Sequence, residues 1–146
     1  MFLGLVFISC SQQLSNKDRI YKVTDIFLKY IKEGNEQQVY DMAYHVDYPN
    51  NITSPNKRKD MVEKVSDLIN KFGLPSHDKW IFKRTALDYE VHIPISNYND
   101  TNTVLKNVEI IISFPPPKVS NKIFDFDFDG DLDTSKLKPV MAPFSQ

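Results

Sequence analysis

Between positions 125 and 133 every second residue is an aspartate: Asp125, Asp127, Asp129, Asp131 and Asp133, with Phe126, Phe128, Gly130 and Leu132 in the gaps. Carboxylates at alternate positions followed by glycine are how a calcium loop begins. The hard cation collects oxygen ligands, and the glycine allows the sharp turn between them. These five aspartates are the candidate metal ligands, and calcium is the candidate ion. The pattern then stops short. The twelfth position of such a loop takes a bidentate Glu, and Lys136 stands there. The same residues also read as a strand, with Phe124, Phe126 and Phe128 turned to a core and the aspartates to water. A charge-lined strand at a sheet edge resists pairing with another sheet. That simpler reading accounts for most of the pattern, and calcium titration of the domain separates the two.

Other candidates for chemistry are sparse. His45, His77 and His92 stand at no metal-ligand spacing, and each reads as a surface histidine. Asp88, Tyr89 and Glu90 offer a carboxylate–tyrosine pair, but a period of two turns Tyr89 away from both acids. Asp41 and Tyr44 lie three apart, so on a helix they would share a face. There is no nucleophile elbow, no glycine-rich phosphate loop and no Cys-His pair. Lys57-Arg58-Lys59 is a short basic cluster that reads as the polar first turn of a helix. No catalytic set emerges.

The single cysteine, Cys10, follows the apolar run of residues 2–8 and the small residue Ser9. The run is too short to cross a bilayer, which takes about 20 apolar residues. It fits the apolar core and small-residue cleavage site of an export signal. The tetrad Phe7-Ile8-Ser9-Cys10 resembles the lipobox of bacterial lipoproteins. That resemblance implies acylation of Cys10, removal of the leader, and a protein tethered by lipid to the bacterial cell envelope, on a periplasmic or outer-membrane face. Two departures stand against the family pattern: no Lys or Arg precedes Cys10, and Phe7 stands where Leu is usual. A buried N-terminal strand with an ordinary thiol is the other reading of the same residues.

Composition narrows the class. The chain has 146 residues, 41% hydrophobic and 25% charged, which is a globular composition and one domain's length. Lys plus Arg number 18 against 19 Asp plus Glu. Such a balance argues against nucleic acid as a partner, which would call for a basic face. One cysteine excludes an internal disulfide and a cysteine-rich zinc site. Ten Phe and seven Tyr, with Trp80, supply a core.

The elements that would position any site fall in two halves. Ile20, Val23, Ile26, Phe27, Tyr30 and Ile31 recur at helical spacing over residues 17–33. Asn16 or Ser15 suits its start and Gly34 its end. Asn35 then caps a second helix over about residues 36–45. Thr53 or Ser54 caps a third, with Pro55 in its first turn, Met61, Val62, Val65, Leu68, Ile69 and Phe72 on its inner stripe, and Gly73 at its end. Strands are expected at residues 79–86, 87–95, 104–114 and 121–129, with a polar hairpin loop over 97–102 and a stop at Pro115-Pro116-Pro117. The chain therefore divides into residues 1–9 as leader, 10–16 as tether, 17–133 as one α+β domain and 134–146 as an irregular tail. The domain is three helices packed on a curved four-stranded antiparallel sheet.

The segment Phe27-Leu28-Lys29-Tyr30-Ile31-Lys32-Glu33-Gly34-Asn35-Glu36-Gln37-Gln38-Val39-Tyr40 resembles the opening of small exported domains with the nuclear-transport-factor-two-like, or cystatin-like, cone fold. The family begins with a long helix, a Gly-Asp or Gly-Asn turn and a short helix. The resemblance implies a third helix and a curved sheet behind it. With no catalytic set in view, the expected role is that of a non-catalytic, membrane-anchored lipoprotein that binds an envelope protein or a small apolar ligand. The alternatives are an enzyme with its site inside the cone, as in some members of the family, and a calcium-stabilised binding module.

Overall fold

The computed structural model describes residues 16–45, 51–95, 108–115 and 122–129. Among these residues three helices precede the strands: α1 (Asn16–Lys32), α2 (Glu36–Met42) and α3 (Pro55–Phe72). A 3-10 turn, His77–Lys79, leads into the described strands: β1 (Ile81–Arg84), β2 (Tyr89–Pro94), β3 (Glu109–Phe114) and β4 (Asp125–Asp129). The strands form one antiparallel sheet in the order β1-β2-β3-β4. This is the α+β architecture expected of the sequence.

Helix α1 buries Ile20, Tyr21, Thr24, Phe27, Leu28 and Ile31. The expected face included Ile26, but that residue is 47% exposed. At about 100° per residue it stands some 200° round the axis from both Thr24 and Leu28. The helix ends in a Schellman turn. Gly34 takes φ 68°, its N–H bonds to the Ile31 carbonyl at 2.9 Å, and the Asn35 N–H reaches the Tyr30 carbonyl at 2.9 Å. Asn35 then caps α2 by accepting the Gln38 N–H at 3.2 Å. Two residues thus close one helix and open the next.

Helix α2 stops at Met42, three residues before the expected end. At Ala43 the chain turns extended (φ −75°, ψ 144°) and makes a parallel bridge to Ile123. The Tyr44 N–H bonds to the Ile123 carbonyl at 2.7 Å, and the Ile123 N–H bonds to the Met42 carbonyl at 2.9 Å. Strand-like bonding to a residue some 80 positions on in the chain has ended the helix. Asn51, nearly buried, ties the α2–α3 connection to the same place: its Nδ2 donates to the Phe124 carbonyl at 2.8 Å. Ser54 occupies the N-cap of α3 with Pro55 behind it, yet its hydroxyl makes no capping bond.

The first strand is shorter than expected. Residues 77–79 coil into the 3-10 turn, which the Trp80 N–H closes on the His77 carbonyl at 3.1 Å. The third strand begins at Glu109, and residues 104–107 of its expected span lie outside the described ones. Of the fourth, residues 125–129 form the strand and Ile123 the isolated bridge.

The core lies between the helices and one face of the sheet. Period two sends Tyr89, Val91 and Ile93 of β2, Ile110, Ile112 and Phe114 of β3, and Phe126 of β4 to that face, and all are buried. Phe27 of α1 meets Phe126 edge to face, with ring centroids 5.1 Å apart.

Candidate functional site

The same alternation that fills the core sends Glu90, His92 and Pro94 of β2, and Glu109, Ile111 and Ser113 of β3, to the face that looks away from the helices. Register then decides which of these meet. His92 is paired with Ile111 and Pro94 with Glu109, so Glu109 stands diagonally across from His92. Glu90 sits two residues before His92 on the same strand. The result is a carboxylate on either side of one imidazole: His92 Nε2 lies 2.8 Å from Glu90 Oε2, and Nδ1 lies 3.0 Å from Glu109 Oε1. Lys83, paired with Glu90 from β1, brings its Nζ to 3.4 Å from Nδ1.

Burial in this cluster is uneven. The His92 side chain is 6% exposed, while Glu90 and Glu109 keep 26% and 29%. His92 was expected on the polar side of its strand and is there, but it is not a surface histidine. Its neighbours wall it in. Each ring nitrogen has a carboxylate oxygen beside it, and Lys83 Nζ also lies beside Nδ1, so which contacts the ring donates depends on its tautomer. Either way neither nitrogen is free to take a proton from a substrate unless a glutamate moves. The carboxylates also approach the ring from opposite sides, so they do not converge with one ring nitrogen on a common point. The arrangement can hold charge and cross-link β2 to β3. Among the described residues, no three His, Cys, Asp or Glu side chains come together as a metal would require.

Next to this cluster lie the candidate aspartates of β4. Asp125, Asp127 and Asp129 pair with Ser113, Ile111 and Glu109, so they carry the acidic character of the outer face to the sheet's edge. Asp125 is joined to Lys57 of α3 at 2.9 Å. A straight strand sets alternate side chains about 6.6 Å apart along its length, whereas a calcium loop folds them round a point. Asp131 and Asp133 lie outside the described residues, as does Cys10.

The remaining candidates are dispersed. Tyr89 turns inward and stacks on Phe82, away from Asp88 and Glu90, as period two required. Asp88 instead closes the β1–β2 turn with Thr85. Asp41 accepts from Gln37 at 2.9 Å. Tyr44 lies past the end of α2, so these two share no helical face. His45 packs on the Tyr40 ring. Of the basic cluster, Lys57 reaches Asp125, and Arg58 lies over the Tyr40 ring and donates to the Thr53 carbonyl.

A second histidine cluster sits at the foot of α1. His77 packs on Trp80 and Tyr21, and its Nε2 is 2.8 Å from Asp25. Burial raises the pKa of Tyr21, whose hydroxyl donates to the Trp80 carbonyl at 3.1 Å. The Ser76 hydroxyl chiefly, with Lys79 assisting, lowers that of Asp78. The Tyr21 and Asp25 contacts anchor the 3-10 turn to α1.

The Glu90–His92–Glu109 cluster was half visible in the sequence. Period two over β2 puts Glu90 and His92 on one face. Glu109 joins them only through the β2–β3 register, 17 residues further along the chain than His92. Comparison with protein-family models, with curated proteins and with solved structures found no match for the chain.

Proposed function

We propose that this chain is a lipid-anchored protein of the bacterial envelope whose domain works by binding a protein partner on the open face of its sheet. The observation that carries the binding half is how the interior is filled. Phe27, Phe114 and Phe126, with Ile31, Ile93 and Ile112, occupy the space between helices and sheet with almost no exposure. A small ligand or substrate entering the cone would have to displace these side chains, at a cost of several kcal/mol each. A groove of about 150 Å³ between Gly34 and the flank of α3 is open and too small to enclose a substrate. The outer face carries the part-exposed Glu90 and Glu109 and the exposed Asp127 and Asp129. The anchor half rests on Phe7-Ile8-Ser9-Cys10. The order of elements, with the Gly34-Asn35 turn after the long helix, supports kinship with the nuclear-transport-factor-two-like cone fold.

Metabolic labelling with palmitate in a bacterial host tests the anchor. The wild-type chain is expected to take up label and Cys10→Ala to take up none. Equal labelling of the two removes the anchor from the proposal.

A further inference from the structure

We propose that the turn joining β1 to β2 is a membrane contact: Leu87 enters the interface of an anionic lipid surface while Lys83 and Arg84 pair with its headgroups. Residues 85–88 form this turn, and β1 and β2 run antiparallel up to their last pair, Arg84 with Tyr89. Four large hydrophobic side chains are exposed among the described residues. Leu87 is 82% exposed, against 49% for Ile81, 47% for Ile26 and 37% for Tyr44. Ala86 beside it is exposed as well.

A lone exposed leucine is ordinary on a protein surface. What distinguishes this one is the turn that carries it. The Thr85 N–H donates to the Asp88 carbonyl at 3.0 Å. The Thr85 hydroxyl oxygen accepts the Leu87 N–H at 3.2 Å and the Asp88 N–H at 2.9 Å, and the hydroxyl donates to the Asp88 carboxylate. Threonine and aspartate thus satisfy each other and the backbone between them. A segment that leaves water for lipid has to meet its polar groups internally. This turn does so before any lipid arrives, and the side chains it leaves outside are Ala86 and Leu87.

The charges fit the same partner. Lys83 stands on the outer face, with its Nζ 3.4 Å from His92 Nδ1; Arg84 stands on the helix side, with its guanidinium 6.0 Å from the centre of the Tyr89 ring. Both cations are exposed, so one flanks the tip on each face. The described acids at this end are engaged: Asp88 with Thr85, Glu90 with His92 and Asp125 with Lys57. An apolar tip between two cations suits the boundary between anionic headgroups and acyl chains, where leucine is buried and Lys or Arg meets phosphate. The contact lies at the end of the strands and leaves the open face of the sheet to a protein partner. It does not depend on acylation of Cys10.

Fluorescence from the tip tests it, on the full chain carrying Cys10→Ser, Ala86→Cys and an environment-sensitive dye on the introduced thiol. Any binding through the apolar residues 2–8 is common to every variant compared. With vesicles of equal parts phosphatidylglycerol and phosphatidylcholine, the emission is expected to shift to the blue. With phosphatidylcholine alone it should not, and molar salt should reverse the shift by screening. The same dye at Glu63→Cys, an exposed site on α3, should report water throughout. Leu87→Ser should lower the ratio of inserted to free tip by about tenfold. Arg84→Gln, which leaves the contact between Lys83 and His92 in place, should lower it about fivefold, and adding Lys83→Gln should lower it about fivefold again. No shift with anionic vesicles overturns the proposal and leaves Leu87 to a protein partner. A shift that survives Leu87→Ser unchanged, that phosphatidylcholine alone produces equally, or that the dye on α3 also shows, overturns it too.

Discussion

Strands β2 and β3 show two opposite surfaces built from alternate residues of the same twelve. On the helix side stand Tyr89, Val91, Ile93, Ile110, Ile112 and Phe114, all buried and all but Tyr89 without a polar atom in the side chain. On the other side stand Glu90, His92, Pro94, Glu109, Ile111 and Ser113, where the only strongly buried group is an imidazole between two acids. The inner surface is held by packing, which is non-directional and scales with area. The outer surface is held by directed contacts between charges that water still reaches. The difference teaches that the fold is specified from one side of the sheet. The other side is left free to carry polar groups that packing would not select.

The largest expected effect tests the inner surface. Phe126 is buried at the centre of the core against Phe27. Phe126→Ala should lower the unfolding free energy by about 3–5 kcal/mol, from lost transfer energy and the cavity left behind. Its outer neighbour Asp127 is exposed, and Asp127→Ala should change stability by about 0.5 kcal/mol or less. Urea unfolding of the two single variants measures both. Similar losses from the two would mean that the surfaces are not held by different forces.

An intermediate effect is expected on the outer surface. His92→Leu removes the imidazole shared by Glu90 and Glu109 and leaves two acids facing an apolar side chain. Because both glutamates are partly hydrated, the loss should be about 1–2 kcal/mol, well short of the cost of a fully buried ion pair. Adding Glu90→Gln and Glu109→Gln to His92→Leu should recover most of it, since amides in place of the acids carry no charge to strand. Thermal melts of the single and triple variants decide this. A triple variant that is no better than His92→Leu would show that the ring contributes by its bulk and not by its bonds.

Where the physics was local, the sequence was legible. Helical spacing, Gly34, Asn35, Pro55 and Gly73 located three helices, and period two separated the two surfaces of β2 and β4. Where the deciding partner was distant, it was not. Ile123 ends α2 by bridging to Ala43, and no residue near Met42 announces it. His92 reads as a surface residue because Glu109, 17 positions on, reaches it only through the β2–β3 register. Lys57 looked like a solvated first turn because Asp125, its partner, is 68 residues away. The start of β1 is not legible locally because the 3-10 turn before it depends on how Trp80 seats: its ring N–H donates to the Pro75 carbonyl at 3.0 Å.

The smallest expected effect has the opposite sign and comes from the inner side. Thr24 of α1 is the polar counterpart of His92 in position: fully buried, but with no hydrogen-bond partner for its hydroxyl among the described residues. A buried hydroxyl without a partner loses its bonds to water and gains none in return. Valine has nearly the same shape and the same branching at Cβ, so it should fit the site without strain. Thr24→Val is therefore expected to raise stability by about 1 kcal/mol, measured as a higher urea midpoint at unchanged slope. A fall in stability would mean that the hydroxyl bonds to its own helix backbone after all. The contrast between an inner side that excludes polar groups and an outer side that partners them would then narrow to a difference of degree.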